Sequence, residues 1–285
     1  MASLPNTKTC ANGGFTALYC AAERGHVALV NMLIKSGATV NLAKENGCTP
    51  LFIASQNGKL EVVKALIEAE AKVNQATEDG ATPLHMASHD GNLEVVKALI
   101  EAKAKVNQAM EDGCTPLYVA SECGKLEVVK ALIEAKAKVN LAKENGCTPL
   151  FIASQNGKLE VVKALIEAEA KVNQATEDGA TPIYTASQKD HPLVVQVLID
   201  AGARSAELMF DGYAPLHIAS HTGSLACVKV LTGFRPDTPG WATFLAGATS
   251  KKELEASLAP PGERPPSYLP KIFDRAYLEP IWKFQ

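Results

Sequence analysis

The chain contains no uninterrupted apolar run approaching the ~18 residues that a membrane span requires. Its opening, MASLPNTKTCANGG, has no basic stretch followed by an apolar one, so no secretory leader is expected. Charge of one sign is also lacking: the formal net charge is −3 over 285 residues. Overall charge therefore draws the chain neither to nucleic acid nor to an anionic membrane. Seven cysteines are present but no CxxC pair, which removes the usual sequence support for a zinc site. Cys48, Cys114 and Cys147 fall at equivalent places and Cys10, Cys20, Cys123 and Cys227 are scattered, a pattern that suits reduced thiols in a reducing compartment. No Gly-rich phosphate loop, GxSxG or triad arrangement occurs. The sequence thus calls for no catalysis, cofactor or metal, and the expected place is the cytoplasm, with the nucleus open.

What the chain does have is a period. Gly14, Gly47, Gly80, Gly113, Gly146, Gly179 and Gly212 follow one another at 33-residue intervals. A fixed period in this range marks a stack of small supersecondary units. The text around each glycine is clearest as Asp79-Gly80-Ala81-Thr82-Pro83-Leu84-His85-Met86-Ala87, followed by Gly91-Asn92-Leu93-Glu94-Val95-Val96-Lys97.

Each unit reads as two helices. Proline at the first helical position loses no hydrogen bond, and the threonine before it can cap the free N–H groups. Thr49-Pro50, Thr82-Pro83, Thr115-Pro116, Thr148-Pro149 and Thr181-Pro182 therefore open first helices. Leu51 and Ala54 should face inward, and the recurrent alanines at 54, 87, 120, 153, 186 and 219 permit close stacking. Gly58, Gly91, Gly124 and Gly157 should end the first helix in a left-handed conformation. A second helix follows, with Leu60, Val63, Leu66 and Ile67 on its apolar stripe and Glu61 and Lys64 on its solvated side.

In period and in its Thr-Pro-Leu-His pattern the chain resembles the ankyrin-repeat family, from residue 14 to about 232. That resemblance implies an all-α solenoid of helix-turn-helix units joined by β-hairpin fingers. The expected organisation is an N-terminal extension (1–13), seven repeats (14–233) and a Pro- and aromatic-rich C-terminal segment (234–285). The resemblance further implies a monomeric, non-enzymatic scaffold that binds another protein through finger tips and the exposed face of the first helices. The tip positions are Glu45, Asn46, Glu78, Asp79, Glu111, Asp112, Glu144, Asn145, Glu177, Asp178 and Asp211. The first-helix positions are Gln56, His89, Glu122, Gln155, Gln188 and His221. An acidic row of this kind points to a Lys- or Arg-rich partner segment. It also fits plain solubilisation, or turn formation at Asp-Gly.

Two histidine pairs, His85 with His89 and His217 with His221, stand four residues apart and share a helix face. Nothing nearby completes a metal set, and Met86 and Ile218 stand where a zincin would carry glutamate. In other places the chain departs from the family. Second helices usually close with Gly-Ala, as at Gly37-Ala38 and Gly202-Ala203, yet the inner copies read Glu70-Ala71, Lys103-Ala104, Lys136-Ala137 and Glu169-Ala170. A side chain held left-handed there costs ~1 kcal/mol or more. Lys72, Lys105, Lys138 and Lys171 stand where the family favours an acid. Asp190-His191-Pro192 replaces Gly-Lys-Leu as a local edit.

Residues 40–83 and 139–182 are identical, which signals recent internal duplication or an engineered array, and an array without a specialised partner is a further alternative. The last segment holds half of the prolines and half of the aromatics. Ser250-Lys251-Lys252-Glu253 is a capping-box pattern, so a degenerate eighth repeat at 239–258 is expected to cap the stack. The stretch from Leu269 to Phe284 fits either packing back on the array or docking a second protein. A ubiquitin-ligase substrate receptor, with this segment as its docking element, is the alternative function, although no cysteine follows Cys227 to supply the usual box.

Overall fold

A computed structural model describes residues 6–7, 14–206 and 212–232. Among these residues there are fourteen α-helices and no strand. The expected eighth repeat and the rest of the C-terminal segment lie outside the described residues. The chain divides into two compact units, Met1–Lys171 and Val172–Gln285.

Unit 1 holds five helix pairs: α1 (Ala17–Arg24) with α2 (Val27–Lys35), α3 (Pro50–Gln56) with α4 (Leu60–Glu68), α5 (Pro83–Asp90) with α6 (Leu93–Glu101), α7 (Pro116–Glu122) with α8 (Leu126–Glu134), and α9 (Pro149–Gln155) with α10 (Leu159–Glu167). Odd helices pack in sequence as one layer and even helices as a second. Unit 2 repeats the pattern with α11 (Pro182–Gln188), α12 (Pro192–Asp200), α13 (Pro215–His221) and α14 (Leu225–Leu231).

The Thr-Pro openings work as the residue chemistry dictates. The hydroxyl oxygens of Thr49, Thr115 and Thr148 accept from the backbone N–H three residues on, at 3.1 to 3.2 Å. Leu51, Leu84, Leu117 and Leu150 are 1% exposed, and Ala54, Ala87, Ala120 and Ala153 are fully buried. Burying a leucine this way contributes roughly 1.5–3 kcal/mol relative to leaving it in water. On the second helices Val63 and Leu66 are buried as expected, but Val62 is buried too, whereas Leu60 and Ile67 are only half-buried. The stripe is thus rotated toward Val62, because α4 packs against α2 and α6 as well as against its own partner α3.

The periodic glycine has two reasons. Gly47, Gly80 and Gly113 have φ of +84° to +85°. A Cβ at Gly47 would meet Thr77 Cα at 2.8 Å, and one at Gly113 would meet Lys143 Cα at 2.9 Å. Each finger backbone therefore sits against the next. The fingers themselves are tight turns rather than strand pairs. In the second, Thr77 N–H donates to Ala81 O at 2.9 Å and Gly80 N–H donates to Thr77 O at 3.0 Å. With arms this short no strand ladder forms.

Asparagine joins successive repeats elsewhere. In unit 1, Asn41, Asn74, Asn107 and Asn140 each accept from the N–H of Lys72, Lys105, Lys138 or Lys171 at 2.7 Å. Asn6, near the start of the chain, makes the equivalent bridge to Thr39 N–H and Gly37 O. In unit 2, Asn173 does the same with Arg204 and Gly202.

Candidate protein-binding surface

Backbone bonds between fingers set out the tip residues in unit 1. Glu78 N–H donates to Asn46 O at 3.3 Å, and Glu111 N–H donates to Asp79 O at 3.0 Å. Consecutive tips are therefore held in register, and Glu45, Glu78, Asp79, Glu111, Asp112 and Glu144 are all exposed along them. Unit 2 exposes Glu177 and Asp178 on its own finger, and Asp211 lies outside the described residues.

The two acids of a tip do different work. Asp79 Oδ1 accepts from the Thr77 hydroxyl and from Ala81 N–H, and Asp178 Oδ1 accepts from the Thr176 hydroxyl. Asn46 and Asn145 use their side-chain oxygens in the same way, on the N–H of Cys48 and Cys147. This second tip position closes the turn, as Asx residues do. By contrast, the first-position glutamates Glu45, Glu78, Glu111, Glu144 and Glu177 pair with no side chain among the described residues.

Asp112 is the departure from a uniformly acidic row. Its carboxylate takes Lys143 Nζ at 2.8 Å, the N–H of Cys114 at 3.0 Å and the Cys114 thiol at 3.3 Å. The Lys143 ammonium beside it holds the carboxyl down at about 2. Burial, with the Asp112 hydrogen bond adding to it, pushes the Cys114 thiol up to about 11. Asp112 is thus ionised but paired in place, and the net negative charge it offers to a partner is smaller than the sequence implies.

Lys143 also lies 5.4 Å from the centre of the Tyr118 ring, and the equivalent Lys44 lies 5.4 Å from that of Tyr19. Two lysines therefore lean from the finger arms over aromatic rings of the preceding first helix, a cation–π geometry. The sequence reading left them out. The signal was there: a lysine three residues before the periodic glycine, one repeat after an aromatic at the position following Thr-Pro-Leu or its equivalent.

The first-helix positions fall at the C-terminal ends of the odd helices. Gln56 and Gln155 are half-buried, whereas His89, Glu122, Gln188 and His221 are exposed. Their carbonyls are partly used by the next repeat: Asn92 Nδ2 donates to Gln56 O at 2.8 Å, and Asn156 Nδ2 donates to Glu122 O at 3.1 Å. His89 Nδ1 sits 2.7 Å from Asp90 Oδ1.

Of the histidine pairs, His85 is taken up by the core at 2% exposure. Its Nδ1 accepts from Thr82 N–H at 3.1 Å, which leaves Nε2 protonated to donate to Cys114 O at 3.1 Å in the next repeat. Burial pushes its pKa down and keeps the ring neutral. No helix among the described residues is long and apolar enough to cross a membrane.

Comparisons with known proteins agree with this geometry. No curated protein matches the chain. The solved crystal structure of the human ASB11 ankyrin repeat domain has a TM-score of 0.71 to this chain at 28% identity, covering 79% of this chain and 100% of that one. Ankyrin repeats are protein–protein interaction repeats. The family model for ankyrin repeats (3 copies) matches residues 3–77, 71–143, 104–176, 136–207 and 172–239, and the chain belongs to the ankyrin-repeat family.

Proposed function

We propose that this chain is a non-enzymatic scaffold that binds a Lys- or Arg-rich segment of another protein. The contact residues are Glu45, Glu78, Glu111 and Glu144 on the finger tips of unit 1, with Gln56, His89, Glu122 and Gln155 beside them. The carrying observation is the row of first-position glutamates, unpaired by described side chains and held in register by backbone bonds between fingers. Asp79 and Asp112 contribute field more than contact, since their carboxylates close turns or pair with Lys143. Glu177, Asp178, Gln188 and His221 present the same chemistry on unit 2. The six described cysteines form no disulfide with one another, which suits action in a reducing compartment such as the cytoplasm.

Exposed charges of this kind act mainly on association, and salt screens them over ~8–10 Å. The test is the association rate of a labelled lysine-rich peptide against salt, for the native chain and for Glu78→Gln, Glu111→Gln and Glu144→Gln combined. The native rate should fall steeply with salt, and the variant should bind more slowly with a flatter dependence. Equal rates for both proteins at every salt concentration would remove the electrostatic reading and leave only the scaffold.

A further inference from the structure

The loops that follow the even helices carry a second charged row of opposite sign, which the acidic fingers do not explain. In the third and fourth repeats each loop reads lysine, buried alanine, lysine: Lys103-Ala104-Lys105 and Lys136-Ala137-Lys138. Ala104 and Ala137 are 8% exposed, and all four lysines are exposed. Both ends of each tripeptide are fixed by one asparagine of the preceding repeat. Asn74 Nδ2 donates to Lys103 O at 3.3 Å and its Oδ1 accepts from Lys105 N–H at 2.7 Å. Asn107 does the same for Lys136 O and Lys138 N–H. The backbone of the lysine pairs is therefore placed by the fold, on neighbouring repeats, with only the side chains free.

Three further observations single these lysines out. None of them pairs with an acid among the described residues. The lysines of α4, α6, α8 and α10 do pair, each with the glutamate three residues before it, at 2.7 to 3.0 Å. Second, Lys103 and Lys136 hold φ of +66°, where Gly37 and Gly202 serve the equivalent position without strain. Third, an open depression of about 470 Å³ lies at this edge, lined by Asn74, Lys105, Val106, Asn107 and Gln108. The whole chain carries a net charge of −3 and so has no overall field to draw a polyphosphate; a short acidic peptide is the better match to four local lysines.

We propose that Lys103, Lys105, Lys136 and Lys138 form a docking edge for an acidic segment of a partner protein. This site is independent of the glutamate row on the fingers. Neighbouring repeats stand about 10 Å apart, and an extended peptide advances about 3.3 Å per residue. A short Glu-rich segment therefore spans both lysine pairs. The flanking loops dilute the pattern to Glu70-Ala71-Lys72 and Glu169-Ala170-Lys171, so the centre of the edge is its most basic part.

The test is fluorescence anisotropy of a labelled polyglutamate peptide of about ten residues on the full chain. Combining Lys103→Gly and Lys136→Gly with Lys105→Gln and Lys138→Gln should weaken binding by about tenfold, as loss of four exposed ion pairs implies. The glycine changes suit the local φ, so the variant should stay folded, and circular dichroism checks this. Neutralising Lys97 and Lys130 on the even helices should leave the affinity unchanged, and the fingertip variant should bind as well as native or better. Equal weakening by the Lys97 and Lys130 changes, or tighter binding of a polyuridylate of matched charge, would overturn the proposal.

Discussion

Asn74 donates its side-chain amide to the carbonyl of Lys103, a residue whose φ is +66°. The asparagine satisfies the backbone of a conformation that a lysine adopts reluctantly. Left-handed backbone costs a non-glycine residue about 1–2 kcal/mol, and glycine at the same place loses part of that gain to its larger unfolded entropy. Lys103→Gly and Lys136→Gly should each stabilise the chain by about 0.5–1 kcal/mol. The denaturation midpoint should rise at unchanged slope. A neutral result would mean that the lysine stems make packing contacts worth as much as the strain. If the docking edge also holds, stability and acidic-peptide binding move in opposite directions in this pair of variants.

Glycines of similar φ should not cost the same to replace. Gly113 has φ of +84° and Gly37 has φ of +87°. A Cβ on Gly113 would lie 2.9 Å from Lys143 Cα and 3.0 Å from Glu144 N, both backbone atoms of the next finger. Nothing lies within 4 Å of the Cβ position on Gly37. Gly37→Ala should therefore cost the backbone penalty alone, about 1 kcal/mol. Gly113→Ala should cost that and a displaced finger, about 2–4 kcal/mol. Chemical denaturation of the two variants checks this, and equal losses would mean that the fingers shift apart at no cost.

The contrast between these glycines also shows what the sequence could and could not reveal. A 33-residue spacing displays Gly47, Gly80 and Gly113 at once, and their helices follow from Thr-Pro openings and apolar spacing. The left-handed residues at Glu70, Lys103, Lys136 and Glu169 were also legible, because glycine fills the same position in the first and sixth repeats. Relations between repeats were less so. That Asp79 closes its own turn while Glu78 does not depends on where the Thr77 hydroxyl points. That Asp112 is paired depends on Lys143, which is 31 residues away and belongs to the next finger. Periodicity treats all copies as equal, and the differences lie in residues that meet only when copies stack.

His85 offers the sharpest test of such a contact, because other repeats supply its control. Phe52 and Phe151 occupy its position, and there the preceding threonine caps the residue's own N–H at 3.1 Å. In the third repeat Thr82 instead donates its N–H to His85 Nδ1, and the ring passes a hydrogen bond on to Cys114 O. Burial is the largest influence on the ring and lowers its pKa, against smaller raising effects from the Cys114 carbonyl, Asp112 and Asp79. The sign follows from proton counting. A histidine whose folded pKa lies below its unfolded value of ~6.5 binds more protons when unfolded. Its contribution is fully present above pH ~6.5 and is lost as pH falls through the folded pKa, at up to about 1.4 kcal/mol per pH unit. His85→Phe should remove that loss and restore the threonine cap, but cost the ring's hydrogen bond to the Cys114 carbonyl, which keeps only the Met110 N–H at 2.8 Å, at about 1 kcal/mol. The stability curves of native and variant proteins should therefore cross: native the more stable near pH 8, the variant the more stable near pH 5. The other histidines are the same in both proteins, so the difference between the curves reports residue 85 alone. Parallel curves from pH 8 to pH 5 would show that the folded ring takes up its proton as readily as the unfolded one, and that burial does not hold it neutral.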